Sequence, residues 1–509
     1  MPPPADRLFR PRSLAALIAA LLSATLAVPA AAQVDDEAGL EVLPARVRLG
    51  LEKIKLPAGE SVGLAGATYL LEVGEALGLS AGPAVYGAVT GPRGGLFVLG
   101  AEAAWRHRFG RGPISVEAGF FAGAGGGGDA PVGNGLMLRP HVDLLWDFGR
   151  YRAGISLSQV RFSKSDIDSR QIGLVWTADT DFRYVPAQRI GTNRITSGRS
   201  GIGVDRVQAV VGTYFPASRS KRVDGTPLPS KFHTIGTRLE QSLGDRAYWG
   251  LEANGAASGA VSGYAEVLAT LGTESLFWNR RVALGARAAL GMGGGGGLDT
   301  GGGLLAKGSV YGTVRLSRDI GLTLEGGVLS APNGGLRASF GAASLTFILD
   351  DPYDVRVPAR TTRTEWAVGV EQADTLREDG STRGMKTVAL KVNRFMTDHT
   401  YLSGQTRAAY SGDAGGHLVG LIGAGVRWPV ASRWHVGAEL LAGAGGGGNV
   451  DTSGGTLMHS AAYVGFDITP AVALRVSAGR MKSLRGELDN STVGIDLAFS
   501  FGVAARGFR

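Results

Sequence analysis

Glu371, Lys391, Arg407, Arg427, Glu439, Asp467, Arg475 and Asp496 stand singly among small and apolar neighbours in the last third of the sequence. Charges of both signs enclosed together have two uses. Left unpaired, they would line a path for ions or a polar solute; paired, they would brace an interior as a salt-bridged strut, because burying unpaired charge costs several kcal/mol. Mixed signs favour the strut. Of the seven histidines, His399, His417, His435 and His459 fall in the same region, but no two have the spacing of a metal pair or of a nucleophile and its base. The glycine runs at 123–128, 293–297 and 443–448 lack the following Lys-Ser/Thr and the strand-to-helix context of a phosphate loop. With no cysteine in the chain, thiolate chemistry and disulfides are excluded. The sequence therefore predicts no enzyme: no catalytic residue, no metal ligand set and no cofactor.

What must position these charges is a repeated unit. Each glycine run recurs within the same order of alternating segments, and a triplication is the economical explanation. The expected organisation is a signal peptide over 1–32, repeat 1 over 33–184, a linker over 185–204, repeat 2 over 205–351, a linker over 352–363 and repeat 3 over 364–509.

Within the units the period is two. Val493, Ile495, Leu497, Phe499 and Phe501 alternate with Gly494, Asp496, Ala498 and Ser500, which gives a strand one apolar face and one small or polar face. The third unit divides into the segments 365–376, 386–398, 400–412, 416–430, 434–445, 457–469, 472–482 and 490–503, and the other units divide in the same way. Globular strands usually run to ~5–6 residues, whereas a tilted strand crossing a bilayer needs ~9–11. The connections alternate between tight turns, such as 397–399, 429–433 and 469–471, and longer polar or glycine-rich loops, such as 216–231 and 293–303. That asymmetry belongs to transmembrane barrels, with the tight turns periplasmic. Trp105, Trp146, Trp249, Trp278, Trp366, Trp428 and Trp434 fall near tight turns or strand starts, as an aromatic girdle requires; Trp176 is the exception, in mid-strand.

Composition agrees. Arg7, Arg10 and Arg12 precede an apolar stretch that ends at Ala30-Ala31-Ala32, the pattern of an export signal. Its removal, with three arginines and Asp6, takes the net charge from +8 to +6, spread thinly and without a lysine-rich block. No nucleic-acid partner is expected.

On the signal peptide, the alternating strands and the final strand with Phe499 and Phe501, the chain resembles Gram-negative outer-membrane β-barrel proteins over residues 41–503. The resemblance implies an outer-membrane location and, as partners, outer-membrane lipid and lipopolysaccharide, the barrel-assembly machinery and possible envelope or surface polysaccharide. Such proteins usually end in an aromatic residue; here Phe508 is penultimate. The expected fold class is all-β, a transmembrane antiparallel β-barrel protein of three eight-stranded repeats. Three tandem small barrels are favoured over one 24-stranded barrel, because the inward faces are filled and nothing is left over to plug a wide hole. The expected role is structural or surface-interacting; the alternative is a porin-like or export channel for small solutes or an anionic polymer.

Overall fold

A computed structural model describes residues 41–74, 78–110, 112–196, 204–244, 246–349 and 357–505. The signal peptide and Phe508 lie outside the described residues.

Each repeat folds as a closed, antiparallel, eight-stranded barrel. The first comprises β1 (Glu41–Lys55), β2 (Ser61–Gly74), β3 (Leu79–Thr90), β4 (Phe97–Arg108), β5 (Ile114–Gly126), β6 (Leu136–Asp147), β7 (Tyr151–Phe162) and β8 (Asp168–Tyr184). A short strand, β9 (Asn193–Thr196), follows. The second barrel comprises β10 (Arg206–Pro216), β11 (Phe232–Ser242), β12 (Ala247–Ser258), β13 (Ala265–Phe277), β14 (Val282–Gly294), β15 (Leu304–Arg315), β16 (Ile320–Ser330) and β17 (Arg337–Ile348). The third comprises β18 (Val357–Leu376), β19 (Thr382–Phe395), β20 (Thr400–Ser411), β21 (Leu418–Pro429), β22 (Trp434–Gly446), β23 (Thr456–Thr469), β24 (Val472–Ser483) and β25 (Asp489–Ala505).

Closure occurs within each repeat. Leu49 on β1 faces Trp176 on β8, Val207 on β10 faces Phe347 on β17, and Val368 on β18 faces Leu497 on β25. The single 24-stranded sheet is therefore not formed.

Alternation along each strand decides its faces. On β25, Val493, Ile495 and Phe499 are exposed, while Thr492, Asp496 and Ala498 are buried in the lumen. Glycine has a specific use inside. Tyr86, Tyr248, Tyr311, Tyr401 and Tyr463 stand directly opposite Gly66, Gly272, Gly285, Gly425 and Gly437 on neighbouring strands. A Cβ on Gly437 would lie 2.3 Å from Cζ of Tyr463, and one on Gly425 2.4 Å from Cζ of Tyr401. The missing side chain lets each ring lie flat on the barrel wall.

Two segments differ from the expected linkers. Val357–Arg360, inside the stretch expected to link repeats 2 and 3, belongs to β18, and there it pairs with β9 from the stretch between repeats 1 and 2. The two connections supply each other's ladder bonds, which is why neither needs an apolar alternation of its own. Trp176 lies in mid-strand as expected, the ninth of the seventeen residues of β8. Its ring stacks 5.6 Å from Tyr151, the first residue of β7 after a tight turn.

Candidate functional site

Three lumens and one space between the barrels are the places where chemistry could occur. In the first lumen, Arg139 clasps Glu52 through two bonds of 2.9 and 2.8 Å, with Ser158 donating to the same carboxylate at 2.6 Å. Arg48 binds Asp143 at 2.8 Å, His141 lies 3.1 Å from Asp143 and 3.4 Å from Glu102, and Tyr86 donates to Glu102 at 2.9 Å. In the second, Arg238 joins Glu252 at 2.6 Å and Glu325 at 3.0 Å, Lys307 joins Glu252 at 2.5 Å, and Arg287 reaches Glu240 at 3.0 Å.

The third lumen holds the charges singled out by sequence. Arg407 meets Glu371 at 3.1 Å, Lys391 meets Asp496 at 2.9 Å, and Arg427 meets Asp467 at 3.2 Å. Glu439 accepts hydrogen bonds from Tyr401 at 2.9 Å and Gln405 at 2.7 Å. Arg475, opposite Asp496 in the ladder, takes Glu365 as its direct partner at 2.5 Å. Glu365 is not among the charges the sequence singled out, although its place two and four residues before Ala367 and Gly369 puts it on the same face as Glu371. His435 lies 3.1 Å from Arg427, and His459 lies 3.3 Å from Arg407 and 3.2 Å from Thr492. These histidines serve the same ion-pair network, and His399 and His417 sit on connections outside it. Among the described residues no group of His, Asp and Glu is arranged to hold a metal ion.

Toward the loop end, each lumen is filled by an apolar cluster: Ile54, Val62, Tyr86, Val98 and Phe121 in the first barrel; Tyr214, Phe232, Tyr264, Leu268 and Leu305 in the second; Val419, Leu421, Leu441 and Leu457 in the third. A void of about 20 Å³ beside Arg407, Glu371 and His417 has room for about one water.

The glycine runs do their work between barrels. The 123–128 run of barrel 1 docks on the β20–β21 loop of barrel 3, where Gly416 N–H donates to Gly125 O at 3.1 Å. The 443–448 run of barrel 3 docks on the β12–β13 loop of barrel 2, where a Cβ on Gly446 would lie 2.5 Å from Gly263 N. The 293–297 run of barrel 2 docks on the β3–β4 loop of barrel 1, where a Cβ on Gly95 would lie 2.4 Å from Gly295 N. Each run touches the next barrel in the same rotational sense, so three like contacts close a ring. Ser262 and Thr452, 2.9 Å apart, and Asn134, which accepts from Asp413 N–H at 3.2 Å, tie the same seams. Near the tight-turn end, Phe182, Trp366 and Phe501 pack barrel 1 against barrel 3.

Enclosed by this ring is a chamber of about 2770 Å³, walled by outward faces of all three barrels, among them Leu71, Val85, Leu239, Leu251, Val368 and Leu402.

Closed sheets with apolar exteriors, strands long enough to cross a bilayer and packed polar interiors define a transmembrane β-barrel protein. The chain has that fold. No protein-family model matches it, and no curated protein does. Solved structures to which it is similar include the NanC porin (6% identity, TM-score 0.16, covering 57% of this chain and 98% of its own), Pseudomonas aeruginosa OpdQ (9%, 0.21, 91% and 98%) and the outer membrane channel DcaP of Acinetobacter baumannii (12%, 0.20, 92% and 99%). At these values the likeness carries no functional argument.

Proposed function

We propose that the protein is a structural and surface-contact element of the outer membrane whose three lumens are braces rather than pores. The observation that carries this reading is the pairing of lumenal charge. Arg48, Arg139, Arg238 and Arg407 are among the largest fully buried side chains, and each meets a carboxylate. An eight-stranded barrel is just wide enough for side chains to fill it, and paired charges beneath an apolar cluster leave no continuous polar path. The partners suited to this role are outer-membrane lipid and lipopolysaccharide around the belt, the assembly machinery during insertion, and surface polysaccharide at the loops. No catalysis is proposed.

The second reading is a channel for small solutes or an anionic polymer. What favours it is the chamber between the barrels, far larger than the void in the third lumen. Between its ends the mostly apolar wall gives a permeating ion little to replace its water with. Single-channel recording in planar bilayers separates the two readings. The brace reading expects no resolved steps, or very small ones; reproducible nanosiemens steps from the pure protein would establish the channel instead.

A further inference from the structure

The chamber between the barrels lies at bilayer depth, and its wall is the same kind of surface that the rest of the exterior offers to lipid. Leu251 and Val392, which line it, are 45% and 47% exposed. Its two ends differ. At the loop end the glycine seams join barrel to barrel by backbone contact: Gly94 N–H donates to Gly301 O at 3.1 Å, and Gly416 N–H donates to Gly125 O at 3.1 Å. At the tight-turn end the lining residues include Arg150, Asp181, Arg183 and Arg394, an excess of guanidinium groups even with Glu240 counted, whose carboxylate is held in the second lumen by Arg206 and Arg287.

An apolar space of this size is several times the ~300–1,000 Å³ of a small-molecule pocket. Along its middle the wall is mostly apolar, with the hydroxyls of Thr237 and Thr406 among the lining side chains, so water finds few polar partners there, and apolar cavities stay dry. Within a membrane the available apolar filler is acyl chain, and the cationic rim suits a phosphate group at the same end.

We infer that the chamber is a binding site for phospholipid taken from the tight-turn leaflet, with acyl chains between the three barrels and the phosphate at the arginine rim. The small residues on the wall make room for it. Gly404 and Gly420 line the chamber, and a Cβ on either would meet nothing within 4 Å. The inference rests on the transmembrane reading but not on whether the protein conducts, so the conductance experiment and the one below fail separately.

The test is lipid retention by the whole protein. After purification from membranes and exhaustive detergent exchange, bound lipid is extracted and identified by mass spectrometry, and each sample is checked for heat-modifiable migration. Wild type should retain at least one phospholipid per chain. Gly404→Leu with Gly420→Leu, which places bulk inside the chamber, should lower retention several-fold. Gly308→Leu is the control: a Cβ there also meets open space, but the position is outside the chamber. Equal retention in the chamber-filled and control proteins would overturn the inference, as would wild type that migrates as folded yet carries no phospholipid, or carries lipopolysaccharide in its place. If the double variant does not fold, native mass spectrometry of wild type titrated with phosphatidylglycerol decides the question. A discrete, saturable adduct that survives activation supports the site, and a broad unsaturated distribution sinks it.

Discussion

Val368 stands directly across the sheet from Leu497. That one pairing closes the third barrel on its own first strand, and Val207 opposite Phe347 does the same for the second. Residues opposed in an antiparallel ladder have Cα atoms ~4.5–5.5 Å apart, within the range a disulfide spans. In this cysteine-free chain, Val368→Cys with Leu497→Cys should crosslink efficiently on mild oxidation, and Val368→Cys with Phe347→Cys should not. Non-reducing gels after refolding read the outcome. The reverse pattern would mean one continuous sheet. The same closure predicts that residues 357–505 behind an export signal assemble alone as a heat-modifiable membrane protein; β18 begins at Val357, so a fragment starting at Thr364 would lack its first turn-end pairs.

Ile495 is half-exposed in the middle of β25, on the lipid face. Ile495→Arg should destabilise the membrane-folded state by about 2–4 kcal/mol, as arginine does near a bilayer midplane. Ile495→Leu should change it little. Guanidinium unfolding in lipid vesicles measures both, and equal midpoints would place Ile495 away from lipid.

Glu365 is 1% exposed and binds Arg475 at 2.5 Å, with Arg363 3.8 Å away. Removing one partner of a buried pair strands the other, a loss of about 3–5 kcal/mol. Glu365→Ala should show that loss in the same unfolding assay. Glu365→Leu combined with Arg475→Met should recover part of it, because only Arg363, whose side chain is 21% exposed and bonded to Ser500 at 2.9 Å, is then left without a carboxylate. If the double variant is as weak as the single, Arg475 has a role beyond neutralising Glu365.

These charges show how far the sequence could be read. A period of two set the faces of β18–β25, and with the faces came the lumenal positions of Lys391, Arg407 and Asp496. Their partners depend on the shear of the closed barrel, which brings Glu371 to Arg407 and Glu365 to Arg475 from other strands. Strand periodicity carries no such information. The chamber was hidden for a related reason: Leu251 and Val368 look like any lipid-facing residue until three barrels are placed around one axis. The glycine runs are legible in the sequence only as glycine-rich loops between strands; that they join whole barrels depends on how the three barrels face one another.

Gly126 has φ +146°, and a Cβ there would lie 2.6 Å from Gly416 N. Gly126→Val should force the seam between barrels 1 and 3 apart while leaving both barrels closed, with the typical overpacking penalty of about 1–3 kcal/mol. Asn134 and Asp413, which bond across this seam, provide the gauge. The disulfide yield of Asn134→Cys with Asp413→Cys should fall when Gly126→Val is added, with heat-modifiable migration unchanged. An undiminished yield would mean that the seam does not depend on the glycine.

His417, in the loop ahead of β21, is 2% exposed, and its Nδ1 lies 3.3 Å from Gly447 O in the glycine run that docks on barrel 2. Burial, with the nearby Arg377 cation, pushes its pKa down to about 4. Arg377 also donates to Gly448 O and Gly412 O, so a protonated imidazole would add a second cation to a loop that already holds one. An unfolded histidine titrates near ~6.5. The folded value is the lower one, so the unfolded state binds the proton first. The contribution of the neutral ring is present above about pH 6.5 and is lost progressively as pH falls toward 4. The guanidinium midpoint of wild type should therefore drop between about pH 7.5 and about pH 4.5, and His417→Gln, which can still donate to Gly447 O but does not titrate in this range, should drop less. All other ionisable groups are common to both proteins, so the difference between the two curves reports on His417. Parallel curves would show that the imidazole is already free to take a proton in the folded protein.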